Sequence, residues 1–200
     1  MSVQTTYSFS TPVGIPGGIV DLAPYAIDAF ANQENDAVLK PGMGVVAGSA
    51  AGTCKKPVAG SAAANFLGVV VNGRTTEMGL DGNANIRNKA TVGVMRYGRI
   101  YVRVKSGVTV ADGDPLLIFK SGDNCGEFTK TAADNTLALA GKFIGPVNNG
   151  VAPVHLYDAP ASAVAEYTLP TAAANTLGGV KVGSGLAISD AGVLSVSGNG

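Results

Sequence analysis

The chain of 200 residues has no tryptophan, one histidine and two cysteines, and only 14% of its residues are charged. Each shortage excludes something. One histidine, His155, leaves little for acid–base or metal chemistry, and Cys/His pairs at zinc-binding spacing are absent. No Gly-x-Ser-x-Gly elbow occurs, and neither cysteine lies near His155 in sequence, so no nucleophile is legible. Asp81-Gly82-Asn83-Ala84-Asn85 begins like a calcium loop, but Ile86 stands where the loop needs glycine and Val92 where it needs glutamate. The Gly42–Gly48 stretch lacks the Lys-Ser/Thr of a phosphate loop. Asp112 and Asp114 belong to a turn whose chemistry already explains them. These absences predict a protein that is not an enzyme and uses no cofactor and no metal. Formal net charge is zero, which argues against nucleic acid as a partner, since phosphate neutralisation needs a basic excess. No apolar run reaches the length of a membrane span, and residues 1–6 carry neither the basic patch nor the apolar core of a signal peptide, so no membrane association is expected.

What is abundant is glycine, 28 residues of it, set between short apolar runs. Leu39-Lys40-Pro41-Gly42-Met43-Gly44-Val45-Val46 is echoed 71 residues later by Val110-Ala111-Asp112-Gly113-Asp114-Pro115-Leu116-Leu117. Phe66-Leu67-Gly68-Val69-Val70-Val71-Asn72-Gly73 returns 77 residues later as Phe143-Ile144-Gly145-Pro146-Val147-Asn148-Asn149-Gly150. One β unit used twice is the expectation. The fold class predicted is all-β: an internally duplicated β-barrel or β-sandwich body, with an extended N-terminal arm and a short C-terminal β segment.

Residues 1–34 are expected to form the arm, because Pro12, Gly14, Pro16, Gly17 and Gly18 forbid a long helix. The arm carries Ile15, Ile19 and Leu22, and an apolar arm must lie on its own barrel or on a neighbouring subunit. The body is expected at 35–158, with strand, turn and strand over 38–48, a loop at 48–64 and a loop or hairpin at 74–90. A brief helix is expected within 131–139, and closing strands at 143–147 and 154–157. Residues 91–105 give the clearest strand: Ile100, Val102 and Val104 alternate with Arg99, Tyr101, Arg103 and Lys105. That second face is either solvated or a docking face for an acidic surface. Cys54 and Cys125 also lie 71 residues apart, and are read as two free thiols with a disulfide as the alternative. Residues 159–166 read as a linker. Residues 167–200 are too few to bury a core alone, so they fold back, remain unstructured or assemble with copies of themselves.

Gly14-Ile15-Pro16-Gly17-Gly18-Ile19-Val20-Asp21, Pro41-Gly42 with Val45-Val46, Phe66-Leu67-Gly68-Val69, the run Gly93–Val102 and Gly113-Asp114-Pro115-Leu116 together resemble the structural cement (capsid decoration) proteins of tailed bacteriophages. The segment from Leu169-Pro170-Thr171-Ala172 through Leu177-Gly178-Gly179-Val180-Lys181-Val182 to Gly192-Val193-Leu194-Ser195-Val196 resembles one found in phage head-fibre and tail-fibre proteins, where it belongs to trimeric β structures. The first resemblance implies a virion protein on the outer capsid surface, bridging capsomers, with the major capsid protein as partner. Ile15, Ile19, Leu22, Arg99, Tyr101 and Arg103 are then the capsid-contact candidates. The second implies self-association, a homotrimer in preference to a dimer, through Leu169, Leu177, Val180, Val182, Leu186, Ile188 and Leu194. It also implies the alternative function, a fibre or adhesin component binding a bacterial surface glycan. A single copy of the segment predicts no long fibre shaft.

Overall fold

The structure is a computed structural model that describes residues 14–73, 76–78, 84–157, 186–188 and 193–196. The chain divides into two compact units, Met1–Ser162 and Ala163–Gly200. The expected linker 159–166 lies outside the described residues. In the first unit the strands are β1 (Ala26–Asn32), β2 (Gly44–Ala47), β3 (Thr53–Lys55), β4 (Phe66–Val70), β5 (Glu77–Met78), β6 (Ala84–Asn85), β7 (Thr91–Arg103), β8 (Pro115–Phe119), β9 (Phe128–Thr129), β10 (Thr136–Phe143) and β11 (Val151–Leu156). The second unit contributes a hairpin, β12 (Leu186–Ile188) with β13 (Leu194–Val196).

Two small barrels share one long strand. The order β1-β3-β2-β4-β7 closes on itself, because β1 pairs with β7 in antiparallel register from Ala26↔Tyr97 to Ala31↔Thr91. On the other side β7-β11-β10-β8-β9 curls round until β9 meets the end of β7 by a parallel bridge, Val104↔Phe128, with Lys105 N–H donating to Phe128 O at 3.0 Å. Each ring has its own core. Leu39, Val45, Cys54, Val70, Ile86, Val92 and Val94 fill the first. Met95, Ile100, Val102, Leu116, Ile118, Phe128, Phe143 and Val154 lead the second. Each such side chain contributes about 1.5–3 kcal/mol on burial, and that sum opposes the entropy of ordering many short strands.

The duplication is visible in the pairings. β2–β3, β2–β4 and β4–β7 are antiparallel, and β8–β9, β8–β10 and β10–β11 repeat them. The turns repeat too. Met43 N–H donates to Lys40 O at 3.2 Å, and Asp114 N–H to Ala111 O at 3.2 Å, with Gly42 and Gly113 both at positive φ. Gly42 N–H reaches Val70 O at 2.8 Å, as Gly113 N–H reaches Phe143 O at 2.9 Å. The 71-residue echo is therefore structural. The Phe-x-Gly echo is not in register: Phe66 opens β4, whereas Phe143 closes β10 and is the counterpart of Val70.

Several expected elements are corrected. The arm does not extend to residue 34, since Ala26–Asn32 is a barrel strand. Residues 38–40 lie in a turn region rather than a strand, because Leu39 is drawn wholly into the first core. The loop 48–64 contains β3, and β10 begins where a brief helix was expected. Residues 144–147 form a loop after β10 rather than a strand.

Both cysteines are free and buried. Burial pushes the Cys54 thiol up to about 11, with Glu34 adding to the shift. Burial also raises Cys125, whose Sγ donates to Pro57 O at 2.9 Å. Neither is a thiolate at neutral pH, so neither should react with a thiol-directed disulfide reagent at pH 8 until the chain unfolds. Titration in buffer and again in denaturant checks this. Rapid labelling of the native protein would contradict the buried placement.

Candidate interaction surface

Arg99, Tyr101 and Arg103 share the outer face of β7, as their alternation requires. Residues 14–24 form a strap that runs along one edge of β7 through the bridge Ile19↔Ile100. Gly17 N–H donates to Tyr101 O at 2.8 Å, Tyr101 N–H to Gly18 O at 2.9 Å, Val20 N–H to Arg99 O at 3.0 Å and Asn72 N–H to Gly17 O at 2.9 Å. Each bond contributes about 0.5–1.5 kcal/mol net, so the strap is held chiefly by backbone. Gly17 has φ +75°, and a Cβ there would stand 2.6 Å from Asn72 N and 2.7 Å from Val70 O. Only glycine allows the strap to seat so closely. Beyond the strap the chain crosses β7 to become β1, and the crossing point is Gly98, where an added Cβ would stand 2.6 Å from Tyr25 Cβ.

Side chains pin the crossing. Arg99 Nη1 donates to Asp21 Oδ2 at 2.7 Å, and Asp21 Oδ1 accepts the Ala23 N–H at 3.0 Å. The Tyr101 ring lies against Gly14. Arg103 Nε donates to Pro41 O at 2.8 Å. The three residues predicted as a row of capsid contacts thus also anchor the strap and the turn beside it. The strap's own apolar side chains are exposed: Ile15 is 55% exposed, Ile19 38% and Leu22 94%. Three exposed aliphatics on one backbone-paired segment make the strap the candidate interaction surface.

At the Gly98 end the sheet carries aromatic rings. His155, opposite Arg99 on β11, stands edge-on to Tyr157 with ring centres 4.9 Å apart, and 6.0 Å from Tyr97. Burial lowers the His155 pKa, and Arg99 and Lys142 lower it further against the opposing pull of Asp21. The imidazole is neutral at pH 7, and its ring packs with those of Tyr97 and Tyr157. Among the described residues no three His, Cys, Asp or Glu side chains gather as metal ligands. Sequence reasoning missed the aromatic grouping, because Tyr97 lies on β7 while His155 and Tyr157 lie at the end of β11, far away in sequence.

The hydrogen bond from Arg99, followed by that from Ala23 N–H, holds the Asp21 carboxyl below its ordinary value. A carboxylate with a depressed folded pKa stabilises the fold above the unfolded value, and the contribution disappears as pH falls through the folded one. Protease cleavage within 14–24 should therefore accelerate below about pH 4 in the native chain. Asp21→Asn should flatten that dependence. Equal acid sensitivity in the variant would show that another group releases the strap.

Of the self-association candidates, Leu186, Ile188 and Leu194 lie in the β12–β13 hairpin, in register Leu186↔Val196 and Ile188↔Leu194. Leu186 is exposed, as are Val193 and Val196. Leu169, Leu177, Val180 and Val182 fall outside the described residues.

The two-barrel fold with a shared strand occurs in a solved virus particle. A chain from "The capsid of Myoviridae Phage XM1" superposes with a TM-score of 0.63 at 18% identity, over 78% of this chain and 98% of that one. At such identity the likeness shows the fold alone. No curated protein matches the sequence. The family of structural cement proteins described by E217 gp24 and Pam3 gp6 matches residues 3–169, taking in the strap and both barrels. With most of its length matched in this way, the chain belongs to the structural cement protein family.

Proposed function

We propose that the chain binds the outer surface of a phage capsid and bridges neighbouring capsomers, holding the shell together. Family membership makes it a structural, capsid-associated component of the virion. The observation that carries the finer reading is the strap: exposed Ile15, Ile19 and Leu22 on a backbone clamped to β7 by Arg99 and stacked on Tyr101, with Arg103 securing the adjoining turn. These six residues form the proposed contact region, three as apolar contacts and three as its support. The major capsid protein is the proposed partner, and a homotrimer joined through the second unit is the proposed assembly.

The stabilising effect is one of mass action. A protein that binds only the assembled shell shifts the equilibrium toward it, by about 2.7 kcal/mol per site at a hundredfold excess over Kd. Repetition on a symmetric lattice multiplies weak contacts. Expanded capsids lacking this protein should take it up saturably, at a fixed ratio to capsid protein, and then disrupt at a higher temperature. Absence of binding at micromolar concentration would overturn the proposal and favour the glycan-binding alternative.

A further inference from the structure

The strap borders a cleft that the barrels do not need for their own closure. It has a volume of about 410 Å³ and lies between the end of β7, the turn 148–151 and the segment leading into β9. That volume is typical of ligand-binding clefts. Ser106, Asn124, Asn148 and Asn149 line it with amides and a hydroxyl, and Arg103 and Glu127 line it with charge.

The two charges are incompletely used. Arg103 Nε is fixed by Pro41 O, which orients the guanidinium, while its two terminal nitrogens have no partner among the described residues. Glu127 spends its backbone on Asn124 O and on the Phe119 N–H, and its carboxylate has neither a hydrogen bond nor an ion pair there. Both groups are half-buried. Burial weakens the hold of Arg103 on its proton and strengthens that of Glu127, and the attraction between the two charges offsets only part of that desolvation. Neither group is among the sealed, unpartnered polar atoms of the described residues, so both remain open to a partner that enters the cleft. The cations acting on Glu127 are Arg103, Lys56 and Lys40, so three positive charges surround one negative charge and the local field favours an acidic visitor. An isolated inorganic anion would satisfy Arg103 and leave Glu127 without a donor. A polypeptide loop supplies both a carboxylate and N–H groups.

We propose that this cleft receives an acidic loop of the capsid protein, its carboxylate paired with the free side of the Arg103 guanidinium and its N–H groups donating to Glu127 and the cleft amides. Arginine suits this role because its planar fork grips a carboxylate through two parallel hydrogen bonds. The inference rests on the capsid-binding reading above and gives that interface its charged anchor.

Asn124 offers a test that leaves Arg103 and its bond to Pro41 intact. Capsids lacking the protein are titrated with the native chain, Asn124→Lys and Asn124→Asp, each first checked for native melting. An acidic loop predicts opposite effects: binding about tenfold tighter for the lysine variant and about tenfold weaker for the aspartate variant. Equal affinity for all three, or the reverse order, would overturn the proposal while leaving the capsid-binding role standing. Failure of the native chain itself to bind would instead remove that role. A photoreactive residue in place of Ser106 should cross-link to a capsid-protein peptide containing Asp or Glu. Cross-linking to a second copy of this chain, or to nucleic acid, would also overturn it.

Discussion

Phe128→Ala is expected to destabilise the body by about 3–5 kcal/mol, the usual cost of emptying a fully buried phenylalanine site. Phe128 is wholly buried. Its backbone closes the second barrel through Val104 and Lys105, and its ring reaches β2, where a Cβ on Gly44 would stand 2.9 Å from Phe128 Cζ. The ring therefore fills the seam between the two halves, and neither can collapse into the void without moving the other. Domains of this size have about 5–15 kcal/mol in total, so the loss is a large share. Urea titration measures it. Leu22→Ala, at a site 94% exposed, serves as the control and should change stability by no more than about 0.5 kcal/mol. A loss below about 1 kcal/mol for Phe128→Ala would mean that the seam is not a single packed core.

Removal of residues 1–24 is expected to leave a folded body and to reduce capsid binding by about a hundredfold, equivalent to about 2.7 kcal/mol. The cut must stop there. A deletion through residue 34 would take away β1, the strand that closes the first barrel against β7, together with Phe30, which packs on its core. That longer deletion should fail to fold and would report nothing about binding. Gly17→Val gives an independent route to the same result, because its Cβ would collide with backbone atoms of Val70 and Asn72. The readouts are circular dichroism for the fold and co-sedimentation with capsids for binding. Unchanged affinity in a folded 25–200 chain would remove the strap from the interface, together with the cleft wall that Gly14 and Pro16 supply.

Sequence alone determined the features written in neighbouring residues. The alternation through Ile100, Val102 and Val104 fixed the strand and the sidedness of Arg99, Tyr101 and Arg103, because side chains on an extended backbone alternate faces. The turns at Gly42 and Gly113 were legible for a similar reason: positive φ is a local demand that glycine meets. The shortage of catalytic side chains was likewise visible in the sequence. Only the tertiary structure decided what required distant segments to meet. It made Ala26–Asn32 a strand, although that stretch has no clean alternation, because closing a barrel gives it partners on both sides. It set Phe143 opposite the Gly113 turn, where matching strings had suggested another register. It set the strap along the edge of β7 and tied Arg99 to Asp21 and Arg103 to Pro41. It also assembled a cleft from Arg103, Asn124, Glu127 and Asn149, which share no local pattern. Local dihedral preferences and side-chain period act over a few residues, whereas the choice among distant partners rests on summed burial and hydrogen bonding across the whole chain.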